Sequence, residues 1–131
     1  MTTADDTPAV ERDDRGGPVT AYTDEMMRDR LAEAAPYTLV VLRRTERYGA
    51  AGTDAIIWEH GRRNMGLQAD RFMPIVCPVR DETDLAGIGI FVDDPDEVRR
   101  IMDGDPAVQA GILSYSVHPC RGFPGSSLPR P

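Results

Sequence analysis

The stretch from Phe72 to Val92 decides the fold: FMPIVCPV (72–79), RDETD (80–84) and LAGIGIFV (85–92). Two runs of aliphatic and β-branched residues flank five polar ones, which is the pattern of a β-hairpin. In the first run Met73, Ile75 and Cys77 fall on one face and Phe72 and Val76 on the other. Pro74 and Pro78 confine it to an edge or a bulge, because proline has no N–H to donate to a ladder. Upstream, Thr53 or Asp54 is placed to cap a helix in which Ile57, His60, Asn64 and Leu67 recur at helical spacing. Arg62, Arg63 and Asp70 lie nearer its wet side. Before that helix, YTLVVL (37–42) reads as a strand that ends at Arg43–Arg47, and the glycines of Tyr48–Gly52 mark a loop. Downstream, Asp94-Pro95-Asp96-Glu97 starts a helix with Asp94 as N-cap, Pro95 in the first turn and Glu97 placed for a capping box. Val98, Ile101 and Met102 are its apolar face, and Gly104 ends it. Asp105-Pro106 opens a further helical turn closed by Gly111, after which Leu113–Val117 alternates as a last strand ended by Pro119.

From Tyr37 the order is strand, helix, strand, strand, helix, strand. The expectation is an α+β chain of ferredoxin-like, split βαβ type, a four-stranded antiparallel sheet with two helices on one face. Residues 37–42 are apolar on both faces, Leu39 and Val41 against Val40 and Leu42. A second apolar sheet face is best buried against another copy of the chain, so a homodimer, a dimeric α+β barrel, is expected.

The 131 residues have room for one domain. The parts are expected to be an acidic tail without regular structure (1–21), a short helix (22–35), the α+β domain (36–120) and a Pro/Gly/Ser-rich tail (121–131). In the short helix Thr23 is the N-cap, Met26, Met27, Arg30, Leu31 and Ala34 form a partial stripe, and Pro36 stops it. A net charge of −7 argues against a nucleic-acid surface, which needs a basic field. Every basic residue is Arg, so lysine Schiff-base chemistry and a Walker-type phosphate lysine are excluded. Cys77 and Cys120 make no disulfide framework. With His60 and His118 they have the wrong spacing for a zinc site, so no metal is expected. Gly87-Ile88-Gly89 lies inside a strand and lacks the third glycine of a dinucleotide fingerprint. The acidic N-terminus does not resemble a signal peptide and the apolar runs are short, so the sequence reads as cytoplasmic, with no membrane partner.

His60 is the residue with the most chemistry to offer, since imidazole titrates near pH about 6.5 and can exchange protons at neutral pH. Its place on the apolar stripe turns it towards the sheet, where it is either a hydrogen-bonded core histidine or a proton-transfer group. Asp105, just before Pro106, has a sufficient role as a helix cap. Arg62 and Arg63 form a solvated helix face or hold an anionic substrate through paired hydrogen bonds. Asn64 and Tyr115 complete the candidate substrate contacts, although Tyr115, like Trp58, also suits a core or dimer interface.

The segment Asp105-Pro106-Ala107-Val108-Gln109-Ala110-Gly111 resembles the D-P-x-x-x-A-G motif of the YciI-like, or YCII-related, family of small dimeric α+β-barrel proteins. As in that family, it is followed by a strand ending Val117-His118-Pro119. His60 stands in the first helix where the family carries its characteristic histidine, and Cys77-Pro78 stands where many members have Gly-Pro. The resemblance spans Tyr37 to Pro119. Asp70-Arg71, where many members have a glycine, and Cys77 depart from the pattern and crowd the backbone near the second strand. The resemblance implies that His60 and Asp105 form a catalytic His–Asp pair. At least one member is a dehydrochlorinating enzyme acting on a substituted hydroxyquinol.

These readings lead to an expected small enzyme, without a cofactor, in which His60 moves a proton on a small cyclic or aromatic metabolite. The reaction would be elimination, isomerisation or cyclisation, and the Arg-only, Ala/Gly/Pro/Asp-rich composition suits specialised metabolism. The rival readings are a non-catalytic dimer that binds or senses a small molecule, and a cofactor-free oxygenase on the same fold.

Overall fold

The computed structural model describes residues 9–12 and 18–131. They fall into two compact units: a smaller one made of the chain up to Ala35 with Phe123–Gly125, and a larger one made of Pro36–Gly122 with Ser126–Pro131.

In the smaller unit, β1 (Ala9–Arg12) pairs antiparallel with β2 (Pro18–Ala21), Ala9 opposite Ala21 and Arg12 opposite Pro18. This corrects the expectation of a tail without regular structure through Ala21. A want of large apolar side chains argues against a core, but a two-stranded ladder needs only paired backbone groups, and Val10, Val19 and Thr20 have the β-branched shape that suits one. Residues 1–8 and 13–17, the rest of that expected tail, lie outside the described residues. Helix α1 (Asp24–Ala32) follows, capped as expected by Thr23, whose hydroxyl accepts from the Met26 N–H at 3.1 Å. The expected stripe is not buried: α1 has no buried residue, and Met27 and Leu31 are exposed. The Arg30 guanidinium lies 4.6 Å from the centre of the Phe123 ring.

The larger unit holds β3 (Ala35–Arg44), α2 (Thr53–Ala69), β4 (Ile75–Pro78), β5 (Leu85–Phe91), α3 (Pro95–Asp103), α4 (Pro106–Gln109) and β6 (Leu113–Gly122). Its four strands form one antiparallel sheet in the order β4-β5-β3-β6, consistent with the split βαβ arrangement. The register puts Thr38 opposite Phe91, Val40 opposite Gly89 and Leu42 opposite Gly87, and these six residues are the buried face. On it Val40, Leu42 and Phe91 join Met73, Val98, Met102, Ala107, Ile112 and Leu113 in one core. Thr38 is polar but fully buried, and its hydroxyl donates to the Asp93 carbonyl at 2.8 Å. The other face carries Leu39, Val41, Ile88 and Ile90, all half-buried.

Several boundaries differ from the sequence reading, each for a local reason. Helix α2 is capped by neither Thr53 nor Asp54. Gly52 takes the N-cap position at φ +84°, which glycine adopts without strain, while the Thr53 hydroxyl donates back to the Ala50 carbonyl at 2.7 Å. Strand β4 starts only at Ile75, since the Phe72 and Met73 N–H groups are taken by the Leu67 carbonyl at the end of α2. Met73, freed from strand alternation, turns into the core instead of sharing a face with Ile75. Gly89 makes room for it, because a Cβ there would stand 2.5 Å from the Met73 sulfur. Strand β6 runs through Pro119 to Gly122, well past the expected end and into the expected tail. It lies at the edge of the sheet, where a missing N–H costs no ladder bond. The capping of α3 is as expected at Asp94, which accepts from the Glu97 N–H at 2.9 Å, but the Glu97 carboxylate pairs with Arg100.

Among the described residues no helix is long and apolar enough to cross a membrane.

Candidate active site

The site begins with two local events in the chain. Asp105 ends the turn after α3 and starts α4: its Oδ2 accepts from the N–H groups of Ala107 at 2.9 Å and Val108 at 3.1 Å. A two-oxygen carboxylate caps with one oxygen and leaves the other free. That second oxygen, Oδ1, points at α2 and meets Nδ1 of His60 at 2.7 Å. The cap and the pair are therefore not alternatives; one side chain does both. Asp105 is fully buried, and the His60 side chain retains 13% exposure.

Burial by itself pushes the Asp105 carboxyl upward. The hydrogen bond and charge of His60, with the Val108 and Ala107 N–H groups, outweigh it and hold the carboxyl below its ordinary value. Asp105 is thus an anion, and an anion facing Nδ1 keeps a proton on that nitrogen. The basic lone pair of the neutral ring is then on Nε2, which lies 3.2 Å from the Asn64 amide nitrogen, one helical turn along α2. Asn64 is itself buried. The amide donates to Nε2 in the neutral ring, and turned over it presents its oxygen to an imidazolium N–H.

His60 and Asn64 line a cavity of about 390 Å³ between α2 and the helix-bearing face of the sheet. Its floor includes the cross-strand row Leu42, Gly87 and Pro78, with Val76 beside it. Gly87 is buried in that floor, and a Cβ there would stand 3.0 Å from the Cys77 carbonyl oxygen of the neighbouring strand. Arg44, Tyr48, Val79 and Arg80 complete the other end. Asp105 does not line the cavity, whereas His60 and Asn64 do, so the buried carboxylate backs a His60–Asn64 pair that forms part of the wall. A second concavity, of about 680 Å³, runs along α2 beside Trp58, Arg62 and Met65. It contains no acid–base pair comparable to His60 and Asp105.

Of the residues singled out in the sequence, His60, Asp105 and Asn64 come together. Arg63 and Tyr115 do not join the cavity wall. Arg63 donates from one guanidinium nitrogen to the Ile101 carbonyl at 2.7 Å, closing the last turn of α3 over Gly104. Its other terminal nitrogen is buried without a hydrogen bond, 4.0 Å from Asp105 Oδ1. Arg63 therefore adds positive potential behind Asp105 and is no substrate contact in this arrangement. Tyr115 donates to Asp103 Oδ1 at 2.6 Å, tying β6 to α3. Burial, then the hydrogen bond to Asp103 and its charge, push the phenol up to about 12. Sequence reasoning missed Arg44, Tyr48 and Arg80, which sit at element ends where periodicity is silent. The register of the 72–92 hairpin was the one signal that could have grouped them with Gly87.

Among the described residues, no three His, Cys, Asp or Glu side chains gather where they could hold a metal ion. Comparison with protein-family models finds no match for the chain, and comparison with curated proteins finds none.

Proposed function

We propose that the protein is a small enzyme in which His60 Nε2 takes and returns a proton on a small cyclic or aromatic molecule held in the cavity. The observation that carries this reading is the 2.7 Å contact of a fully buried Asp105 with Nδ1 of His60, a residue that lines the cavity. The carboxylate fixes the tautomer and stabilises the imidazolium that forms, which is what a general base needs. Each reaction class begins with such a proton removal from an enclosed substrate. In an isomerisation or an internal-addition cyclisation the base returns the proton to another atom of the same molecule. In an elimination the leaving group departs with its bonding electrons, and the proton passes from His60 to it or to solvent. The chemistry belongs with the YciI-like resemblance at Asp105–Gly111, and His60 and Asp105 are the proposed catalytic pair.

The finer architecture belongs to the same proposal. The half-buried apolar row of Leu39, Val41, Ile88 and Ile90 supports a second copy packed sheet to sheet, a ferredoxin-like dimeric barrel. Such an enzyme works in the cytoplasm, on a freely diffusing metabolite.

Proton exchange tests the reading without knowledge of the product. The protein is incubated in D2O with a panel of hydroxylated rings, lactones and cyclic ketones, and deuterium uptake at carbon is followed by NMR. Exchange above the buffer rate that is lost in His60→Gln, with ligand-induced shifts retained, is the expected result. Binding without exchange in the native protein points instead to a module that only binds or senses. Consumption of substrate that requires O2 points to a cofactor-free oxygenase.

A further inference from the structure

The cavity carries a charge opposite to that of the chain around it. The protein has 22 acidic residues against 15 basic ones, yet among the described residues no Asp or Glu lines the cavity, whereas Arg44 and Arg80 do. Arg44 is held by three neutral oxygens: the carbonyls of Thr83 and Leu85 at 2.8 Å and of Val79 at 3.0 Å. The Tyr48 ring lies 5.3 Å from its guanidinium carbon. These partners are all neutral and fix its position. The Asp81 carboxylate feels the Arg44 charge but forms no ion pair with it, so part of the guanidinium's field extends into the cavity. The nearby Asp81 is turned to Thr83, accepting from its N–H at 3.0 Å and its hydroxyl at 2.6 Å. Arg80 stands exposed at the mouth, and among the described residues it has no ion-pair partner. Its fork of N–H donors is therefore available to a ligand. The surfaces between these arginines and His60 are apolar: Leu42, Ile57, Val76 and Leu113.

We infer that the ligand of this cavity is a small organic carboxylate on a flat, single-ring body. The carboxylate pairs with Arg80 at the mouth in the field of Arg44, and the ring lies on the apolar floor with one edge towards His60 Nε2. One free guanidinium matches one carboxylate in the two-point geometry that arginine favours. A volume of about 390 Å³ suits a ring of this size, near the lower end of the roughly 300–1,000 Å³ typical of small-molecule pockets. The inference rests on the reading that this cavity is the functional site and adds the chemical class of what enters it.

The test uses matched probes on the full chain: benzoate, its neutral isostere benzamide, and inorganic phosphate. Each is titrated while the backbone amides of residues 76–86 and the Asn64 side-chain amide are followed by NMR, in the native protein and in Arg80→Gln. Benzoate is expected to give saturable shifts at these positions, and benzamide to bind at least about tenfold more weakly. Arg80→Gln should weaken benzoate by about tenfold and leave benzamide unchanged. Equal binding of benzamide and benzoate, no saturable shift with benzoate, or no effect of Arg80→Gln overturns the inference. So does phosphate that saturates the same shifts as tightly as benzoate, since the apolar body then contributes nothing. The two readings fail separately. Benzoate binding with no ring exchanging deuterium defeats the proton-transfer reading alone, whereas exchange on neutral rings with no benzoate binding defeats the carboxylate inference alone.

Discussion

At the residue scale the account turns on Asp105, which stabilises the fold and orients His60 with different oxygens of one carboxylate. Asparagine can keep the cap through its carbonyl but must point an N–H at His60 Nδ1, whereas alanine keeps neither contact. Asp105→Asn is therefore expected to fold with a modest loss of stability. Asp105→Ala should lose about 2–4 kcal/mol, about 1 from the cap and the rest from the buried charge-assisted bond. Urea unfolding of both variants checks the difference. The carboxyl also sets an acid dependence. It is held below the ordinary 3.8, so the unfolded chain takes up the proton first. Its stabilising contribution is complete above the unfolded value and is lost as the pH falls through the lower folded one. The stability gap between native protein and Asp105→Asn should accordingly narrow on acidification; a gap that widens would show the opposite sign of shift. Much of this site was legible in the sequence. The spacing Ile57, His60, Asn64, Leu67 put His60 and Asn64 on one stripe, and Asp105-Pro106 announced a cap. The contact between His60 and Asp105 was not legible from spacing, because it depends on where α4 packs against α2. Arg63 was misread for a related reason: the wet side of an amphipathic helix can still reach the end of a neighbouring helix.

At the element scale, departures from the sequence pattern cluster where the chain enters or leaves the sheet. Alternation identifies a strand but cannot say where its N–H groups find other partners, so Phe72 and Met73 were read as strand although Leu67 takes both. Proline was read as a stop at Pro119 although an edge strand tolerates it. The fit of Met73 beneath Gly89 was invisible for the same reason, and it makes a sharp prediction. Gly89→Val should overpack the core and cost about 1–3 kcal/mol, and Met73→Ala in the same chain should recover part of that loss. A double-mutant cycle by urea denaturation measures the coupling; strictly additive losses would mean the two sites do not meet. Tyr115 supplies a second element-level test through its bond to Asp103. Its folded pKa is raised from 10.0 to about 12, so the bond contributes fully below the unfolded value and is lost as pH rises through the folded one. Tyr115→Phe should remove that part of the alkaline loss of stability, seen as a flatter pH dependence of the unfolding midpoint.

At the scale of the whole molecule, the order strand, helix, strand, strand, helix, strand was readable from Tyr37 onward, and the sheet order β4-β5-β3-β6 is consistent with the topology it implied. The ladder of β1 and β2 was not readable, since backbone pairing without a core leaves little mark on composition. The half-buried apolar face of β3 and β5 leads to the prediction of a dimer. Light scattering at micromolar concentration should give about twice the 14.4 kDa chain mass. A monodisperse monomer would remove the barrel from the proposal and leave the His60 cavity, which is built within one unit, untouched.

The central claim is that Asp105 holds His60 with its proton on Nδ1 and its basic lone pair on Nε2, at the edge of the cavity. Long-range 1H–15N NMR of the imidazole nitrogens tests it most directly. In the neutral ring of the native protein Nδ1 should carry the proton, and in Asp105→Asn the proton should move to Nε2 with the fold intact. A native spectrum with the proton on Nε2, or a tautomer indifferent to Asp105→Asn, would contradict the account.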